Sequence, residues 1–192
     1  MRRAVLFVQG GGRGAHQVDA RLVASLANEL GSDYEVHYPI MPHEDRPVYL
    51  AWNRILIEQL ARLGDGVILV GHSIGATIVV WSLAEGQPQH QIAGVFLAAA
   101  PFVGDGGWQI DDFAPPNDIG TKVPDVPIYL YHGREDETVP LAHVDLYAAA
   151  LPQAFVRRLA GRNHQLNDDL SEVARDISGL NASSATPSGE PK

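Results

Sequence analysis

Val67-Ile68-Leu69-Val70-Gly71-His72-Ser73-Ile74-Gly75-Ala76-Thr77-Ile78-Val79-Val80 is an apolar run that breaks at a glycine, presents one serine and resumes as a second apolar run. The first part has the unbroken hydrophobicity of a strand buried on both faces, and the second extends to Glu85, long enough for a buried helix. Gly71-His72-Ser73-Ile74-Gly75 fits G-x-S-x-G, in which a strand turns sharply into a helix and the serine occupies the strained corner. Its glycines lack a β-carbon, so neighbouring backbone can pass close to that corner. The helix aims its positive end at Ser73, and the Ile74 amide, among the first donors of the helix, has no intrahelical partner. Ser73 is therefore the first candidate nucleophile, and Ile74 a candidate donor to an oxyanion. The bland alternative is an ordinary strand-to-helix turn with Ser73 as its N-cap.

Outward from this stretch, Ala4 to Val8 is another buried strand, ending abruptly in Gln9-Gly10-Gly11-Gly12-Arg13-Gly14. Val18, Leu22, Leu26 and Leu30 recur at helical spacing until Gly31 stops them. Tyr34 to Tyr38 reads as a strand, Pro39, Pro42 and Pro47 punctuate the loop after it, and Val48 to Leu63 reads as a helix. Beyond the serine corner, strands are expected at Ile92–Ala99, Ile128–Tyr131 and Phe155–Leu159, with helices at Val139–Leu151 and Leu166–Leu180. Strands alternating with helices predict an α/β fold, a three-layer α/β/α sandwich with a mostly parallel sheet of about six strands. The segment 102–127 is crowded with glycine and proline, so no regular element is expected in it, and it reads as a lid or loop insertion over the strand ends. A single domain over residues 1–180 follows, with a disordered tail at 181–192.

Composition narrows the partners. The 192 residues suffice for a core without staples, and the absence of cysteine removes disulfides, thiolate metal sites and a cysteine nucleophile together. A net charge of −9 with no run of lysine and arginine argues against nucleic acid or anionic membrane as partners. The apolar run after Arg2-Arg3 is too short for a signal peptide or a membrane span, so a cytoplasmic protein without membrane insertion is expected.

In an open parallel sheet, ligands sit beyond the carboxyl ends of the strands. That rule brings the glycine loop after the first strand, Ser73, and the stretches Gly133–Thr138 and Gly161–His164 to one edge. A serine hydroxyl needs a base to take its proton, and the imidazole that does so needs a third group to fix its tautomer. Asp136, in His132-Gly133-Arg134-Glu135-Asp136-Glu137-Thr138-Val139-Pro140, and His164, in Arg162-Asn163-His164-Gln165, follow successive strands, giving the chain order Ser, Asp, His. The alternatives for the acid are Glu135, Glu137 and, after another strand, Asp105. His72 is expected to pack beside the corner, His16 to lie near the glycine loop, and His132 and His143 lack the setting of His164. Arg13 and Arg134 flank the site and are candidates to select a carboxylate-bearing substrate. Trp108 and Phe113 either wall an acyl pocket or hold the lid down.

With these residues in place, the chain resembles a small α/β-hydrolase-fold serine hydrolase over about Ala4 to Gly179, one that begins at the strand carrying the oxyanion loop and lacks the two leading strands of larger members. The resemblance rests on Gly71-His72-Ser73-Ile74-Gly75-Ala76, the Gly133 to Pro140 stretch and Asn163-His164. It implies Ser73 as nucleophile, Asp136 as orienting acid and His164 as general base. It also implies an oxyanion hole formed by the amide of Ile74 and one from the first-strand loop, where Gly11 is the best match and Gly12 its neighbour. That loop has Gln9 where many members place histidine.

The expected activity is hydrolysis of small to medium carboxylic esters, with a small-molecule ester as partner, Gly12, Arg13 and Trp108 near the substrate, and neither a metal nor an organic cofactor in the chemistry. Thioesterase, amidase and acyl-transfer activities share the same triad, and a scaffold that binds without catalysis is the non-enzyme alternative. Gly10-x-Gly12-x-x-Ala15 also satisfies a dinucleotide fingerprint, but the second strand closes on His37-Tyr38-Pro39 without the acid that pattern requires.

Overall fold

The computed structural model describes residues 2–86, 90–110, 116 and 118–183. Its strands are β1 (Arg3–Val8), β2 (Tyr34–His37), β3 (Val67–His72), β4 (Ile92–Ala98), β5 (Ile128–Gly133) and β6 (Phe155–Leu159). They form one parallel sheet in the order β2-β1-β3-β4-β5-β6. The helices are α1 (Ala15–Leu30), α2 (Tyr49–Leu63), α3 (Ile74–Ala84), α4 (Ile119–Lys122), α5 (Ala142–Ala150) and α6 (Ser171–Ser183).

Alternation along the central strands builds the two cores. In β1, Leu6 and Val8 face one way and join Trp52 and Leu56 of α2, Ile78 and Trp81 of α3, and Val144 and Tyr147 of α5. Val5 and Phe7 face the other way and meet Leu22 and Leu26 of α1 and Val173 and Ile177 of α6. The same split divides Leu69 from Ile68 and Val70 in β3. Period-two side chains on fully buried strands therefore require apolar residues at every position, which is why these segments read as unbroken hydrophobic runs. α3 is buried along its whole length, so it shows no amphipathic stripe.

The order of strands reverses between β1 and its neighbours β2 and β3. A crevice at the carboxyl ends of β1 and β3 results, and the glycine loop and Ser73 sit at its two sides.

Several boundaries differ from the sequence reading. α5 starts at Ala142, not Val139, because the amides of Thr138 and Val139 bond to the Asp136 carboxylate and a turn closed by His143 N–H to Pro140 C=O intervenes. The helix expected from Leu166 begins at Ser171: Leu166, Asn167 and Asp168 have φ of 49°, 57° and 57°, forming a tight separate turn. That helix then continues through Ser183, so residues 181–183 extend it where a tail was expected, and residues 184–192 lie outside the described residues. Within 102–127, where no regular element was expected, α4 forms one short turn against α3, and Val103 bridges to Trp108. Phe113 lies outside the described residues.

Candidate active site

Ser73 sits between β3 and α3 with φ 51° and ψ −130°, an unfavourable conformation for a residue with a β-carbon. Its amide donates to the Ala98 carbonyl at 2.8 Å, which pins the corner to the end of β4. Gly75 explains how α3 reaches so close: a β-carbon there would collide with the carbonyl oxygens of Val8 and Gln9 at the end of β1. Gly75→Ala is therefore expected to force β1 and the glycine loop away from α3, costing about 2–3 kcal/mol. Thermal denaturation measures it, and an unchanged Tm would contradict the close approach.

Ser73 Oγ lies 3.1 Å from His164 Nε2, and His164 Nδ1 lies 2.8 Å from Asp136 Oδ2. The Asp136 carboxylate is fully buried, while the His164 ring is 13% exposed. Its other oxygen, Oδ1, accepts from the Thr138 and Val139 amides, each at 2.8 Å. Burial alone would push the Asp136 carboxyl up, but the His164 contact and those two amides outweigh it and hold the group below the usual carboxylate range. The turn carrying His164 is braced on both sides. Asn163 and Asn167 exchange side-chain to backbone hydrogen bonds, and Arg162 pairs with Asp169 at 2.5 Å.

The glycine loop is held from a distance in sequence. Gly10 N–H donates to Asp19 Oδ2 at 2.7 Å, and Gly12 N–H to the Glu44 carbonyl. Among the described residues the Gly11 and Ile74 amides have no protein partner. These two residues are side by side, since a β-carbon on Gly11 would lie 2.9 Å from Ile74 Cγ2. The Glu44 carboxylate accepts from the Gly14 and His16 amides at 2.7 and 2.8 Å and from Gln9 Nε2 at 2.9 Å. These bonds, that from His16 first, keep Glu44 below the usual carboxylate range. A pyrophosphate bound by a dinucleotide fingerprint would use those same α1 N-terminal amides. The chain's own carboxylate already occupies them.

A cleft of about 290 Å³ opens over Ser73, lined by Gly10, Gly11, Pro47, Ile74, Trp108 and Ile110 among others. Among the described residues no lysine or arginine lines it. Trp108 thus stands at the cleft, while Gly12 and Arg13 are outside its lining and Arg13 is exposed, as is Arg134. Asp105 is exposed, and the carboxylate on His164 is that of Asp136. His132 is buried with Nε2 donating to the Val139 carbonyl at 2.9 Å, and burial holds its ring neutral-leaning by pushing its pKa down. His143 Nδ1 accepts from the Phe102 amide, and His16 stacks on Tyr38. Asp19 and Glu44 escaped the sequence reading, because their partners lie 9 to 53 residues away and no local motif marks them. Among the described residues no cluster of three or more metal-ligating side chains occurs, and no helix is long and apolar enough to cross a membrane.

A parallel sheet with helices on both faces and a strained serine between β3 and α3 define an α/β hydrolase. A family model described as serine hydrolase matches residues 21–169, and the chain belongs to that family. The fold is similar to that of an esterase from Rhodococcus sp., with a TM-score of 0.71 and 17% identity over 93% of this chain and 91% of that one. It is also similar to the monoacylglycerol lipase of Paleococcus ferrophilus (TM-score 0.66, 16% identity, 93% and 94% covered) and to the esterase domain of a Rhodothermus marinus protein (0.65, 15%, 93% and 87%). At these identities the likeness is one of fold. No curated protein sequence matches the chain.

Proposed function

We propose that this serine hydrolase cleaves small to medium carboxylic esters through an acyl-enzyme on Ser73. The observation that carries the reading is the relay from Ser73 Oγ to His164 Nε2 and from His164 Nδ1 to Asp136. Ser73 Oγ attacks the ester carbonyl carbon as its proton passes to His164 Nε2. The tetrahedral oxyanion accepts from the Gly11 and Ile74 amides, which have no protein partner among the described residues. The C–O bond to the alcohol then breaks, and His164 returns the proton to the departing oxygen. Water gives a proton to His164 and attacks the acyl carbon, and Ser73 leaves with that proton as the acid is released. Asp136 stabilises the imidazolium formed in each half and keeps Nδ1 protonated.

The cleft supports this reading of substrate size and charge. About 290 Å³ walled by Pro47, Ile74, Trp108 and Ile110 suits an uncharged acyl group of modest length. With p-nitrophenyl esters of graded chain length, kcat/KM is expected to peak at short to medium acyl groups. Trp108→Ala, which widens the cleft, is expected to shift the peak to longer chains and lower kcat/KM for the best wild-type substrate about tenfold. A protein inert on the whole series would contradict the proposed function, and an unshifted peak in Trp108→Ala would contradict the cleft as acyl site.

A further inference from the structure

Beside the Ser73 relay lies a second imidazole and carboxylate that the mechanism above does not use. His72 and Asp19 are each 1% exposed, with His72 Nδ1 2.9 Å from Asp19 Oδ2. The other ring nitrogen, His72 Nε2, lies 3.1 Å from the backbone carbonyl of His164. We propose that Asp19 and His72 form a buried ion pair that positions the serine corner, the glycine loop and the His164 turn relative to one another. This proposal rests on the reading of Ser73 and His164 as nucleophile and base.

The charge state follows from what each nitrogen faces. A backbone carbonyl can only accept, so Nε2 must carry a proton. Nδ1 faces a carboxylate oxygen that already accepts the Gly10 amide at 2.7 Å, a setting that favours the anion. A proton on each nitrogen satisfies both atoms the ring faces, Asp19 Oδ2 and the His164 carbonyl oxygen. The charged groups acting on the ring are Asp19 from α1 and Asp136 from the loop after β5, while the ring of His164 lies beside it with centroids 5.0 Å apart. Burial opposes the imidazolium, yet Asp19, the His164 carbonyl and Asp136 prevail and push His72 up. Burial likewise opposes the Asp19 anion, and His72 with the Gly10 amide brings that carboxyl down.

Stability is a weak reason for such a pair, since withdrawing two charges from water offsets much of their attraction. Its connections give a better one. His72 neighbours Ser73 in the chain, Asp19 holds Gly10 next to Gly11, and His72 Nε2–H holds the backbone of His164. One couple therefore ties together the nucleophile, an oxyanion donor and the base, three groups on loops that follow three different strands. Small displacements among such groups are costly to rate and cheap to binding. His72 and Asp19 are positioning residues on this account.

Two measurements test it. In protein labelled with ¹⁵N-histidine, the His72 ring, assigned by its loss in His72→Gln, is expected to carry protons on both nitrogens at pH 8. A ring with one bare nitrogen would overturn the ion pair. In the kinetic arm, Asp19→Asn is expected to lower kcat about 10- to 100-fold per fluorophosphonate-labelled serine, with KM within about twofold. Counting labelled sites removes any loss due to unfolded protein. His72→Gln, whose amide nitrogen can replace Nε2 as donor, is expected to keep at least about tenfold more kcat than His72→Leu. A wild-type kcat in Asp19→Asn, or equal losses in the Gln and Leu variants, would overturn the positioning role. Wild-type protein that neither labels nor turns over esters would sink the hydrolytic reading instead, and the imidazole spectrum would still decide the pair.

Discussion

Ser73→Ala is expected to lower ester turnover by about 10⁵- to 10⁶-fold while leaving Tm within a few degrees of wild type. The reason for the size is that the hydroxyl is the atom that bonds to the acyl group, so its loss removes the covalent route altogether and leaves the cleft and the free amides to act on water alone. The reason for the unchanged fold is equally local. The corner is held by the Ser73 backbone, through its amide bond to Ala98 and its carbonyl bonds to the amides of Ala76 and Thr77, none of which needs the side chain. Initial rates on a p-nitrophenyl ester, beside a thermal melt, measure both halves. Turnover persisting in Ser73→Ala would mean the reaction uses another group.

Asp136→Asn is expected to cost about 10³- to 10⁴-fold in kcat. Oδ1 would still accept from Thr138 and Val139, so the turn survives, but the position facing His164 Nδ1 becomes an amide. An NH₂ group there favours the imidazole tautomer whose proton sits on Nε2, and that nitrogen can then no longer take the Ser73 proton. The same contacts predict a pH effect on stability. Because the folded Asp136 carboxyl is held below its unfolded value, its contribution is present above an unfolded value near ~3.9 and disappears as pH falls through the lower folded one. The wild-type stability advantage over Asp136→Asn should thus shrink as pH falls below about 4. Denaturant melts at pH 7 and pH 3 check it. An equal advantage at both would contradict the assignment.

The parts of the site that could be read from the sequence are those encoded by their own neighbours. Gly71 to Gly75 announces the corner because glycine, serine and the flanking apolar runs are contiguous, and both cores follow from strands buried on two faces. Asp136 and His164 were within reach because each follows a strand, and parallel topology delivers strand ends to one edge. What the sequence left open depends on contacts between distant segments. Whether Gly11 or Gly12 offers a free amide depends on Glu44, whose carbonyl takes the Gly12 N–H across the loop after β2. Arg13 is two residues from Gly11 in the chain, yet it is exposed and outside the cleft lining, in a loop whose Gly12 and Gly14 have φ of 120° and 80°. α5 starts later than its sequence pattern suggests for a similar reason: Asp136 claims the Thr138 and Val139 amides for a turn. The partnership of His72 with Asp19, 53 residues apart, has no local signature at all.

On the proposed mechanism Ser73, and no other hydroxyl in the chain, is activated by His164. Treating wild type, Ser73→Ala and His164→Ala with a fluorophosphonate and locating the adduct by peptide mass spectrometry tests this. We expect one adduct per wild-type chain on the peptide holding Ser73, none in Ser73→Ala, and labelling slowed at least about 10³-fold in His164→Ala. An adduct on a different residue, or wild-type labelling speed without His164, would contradict the account.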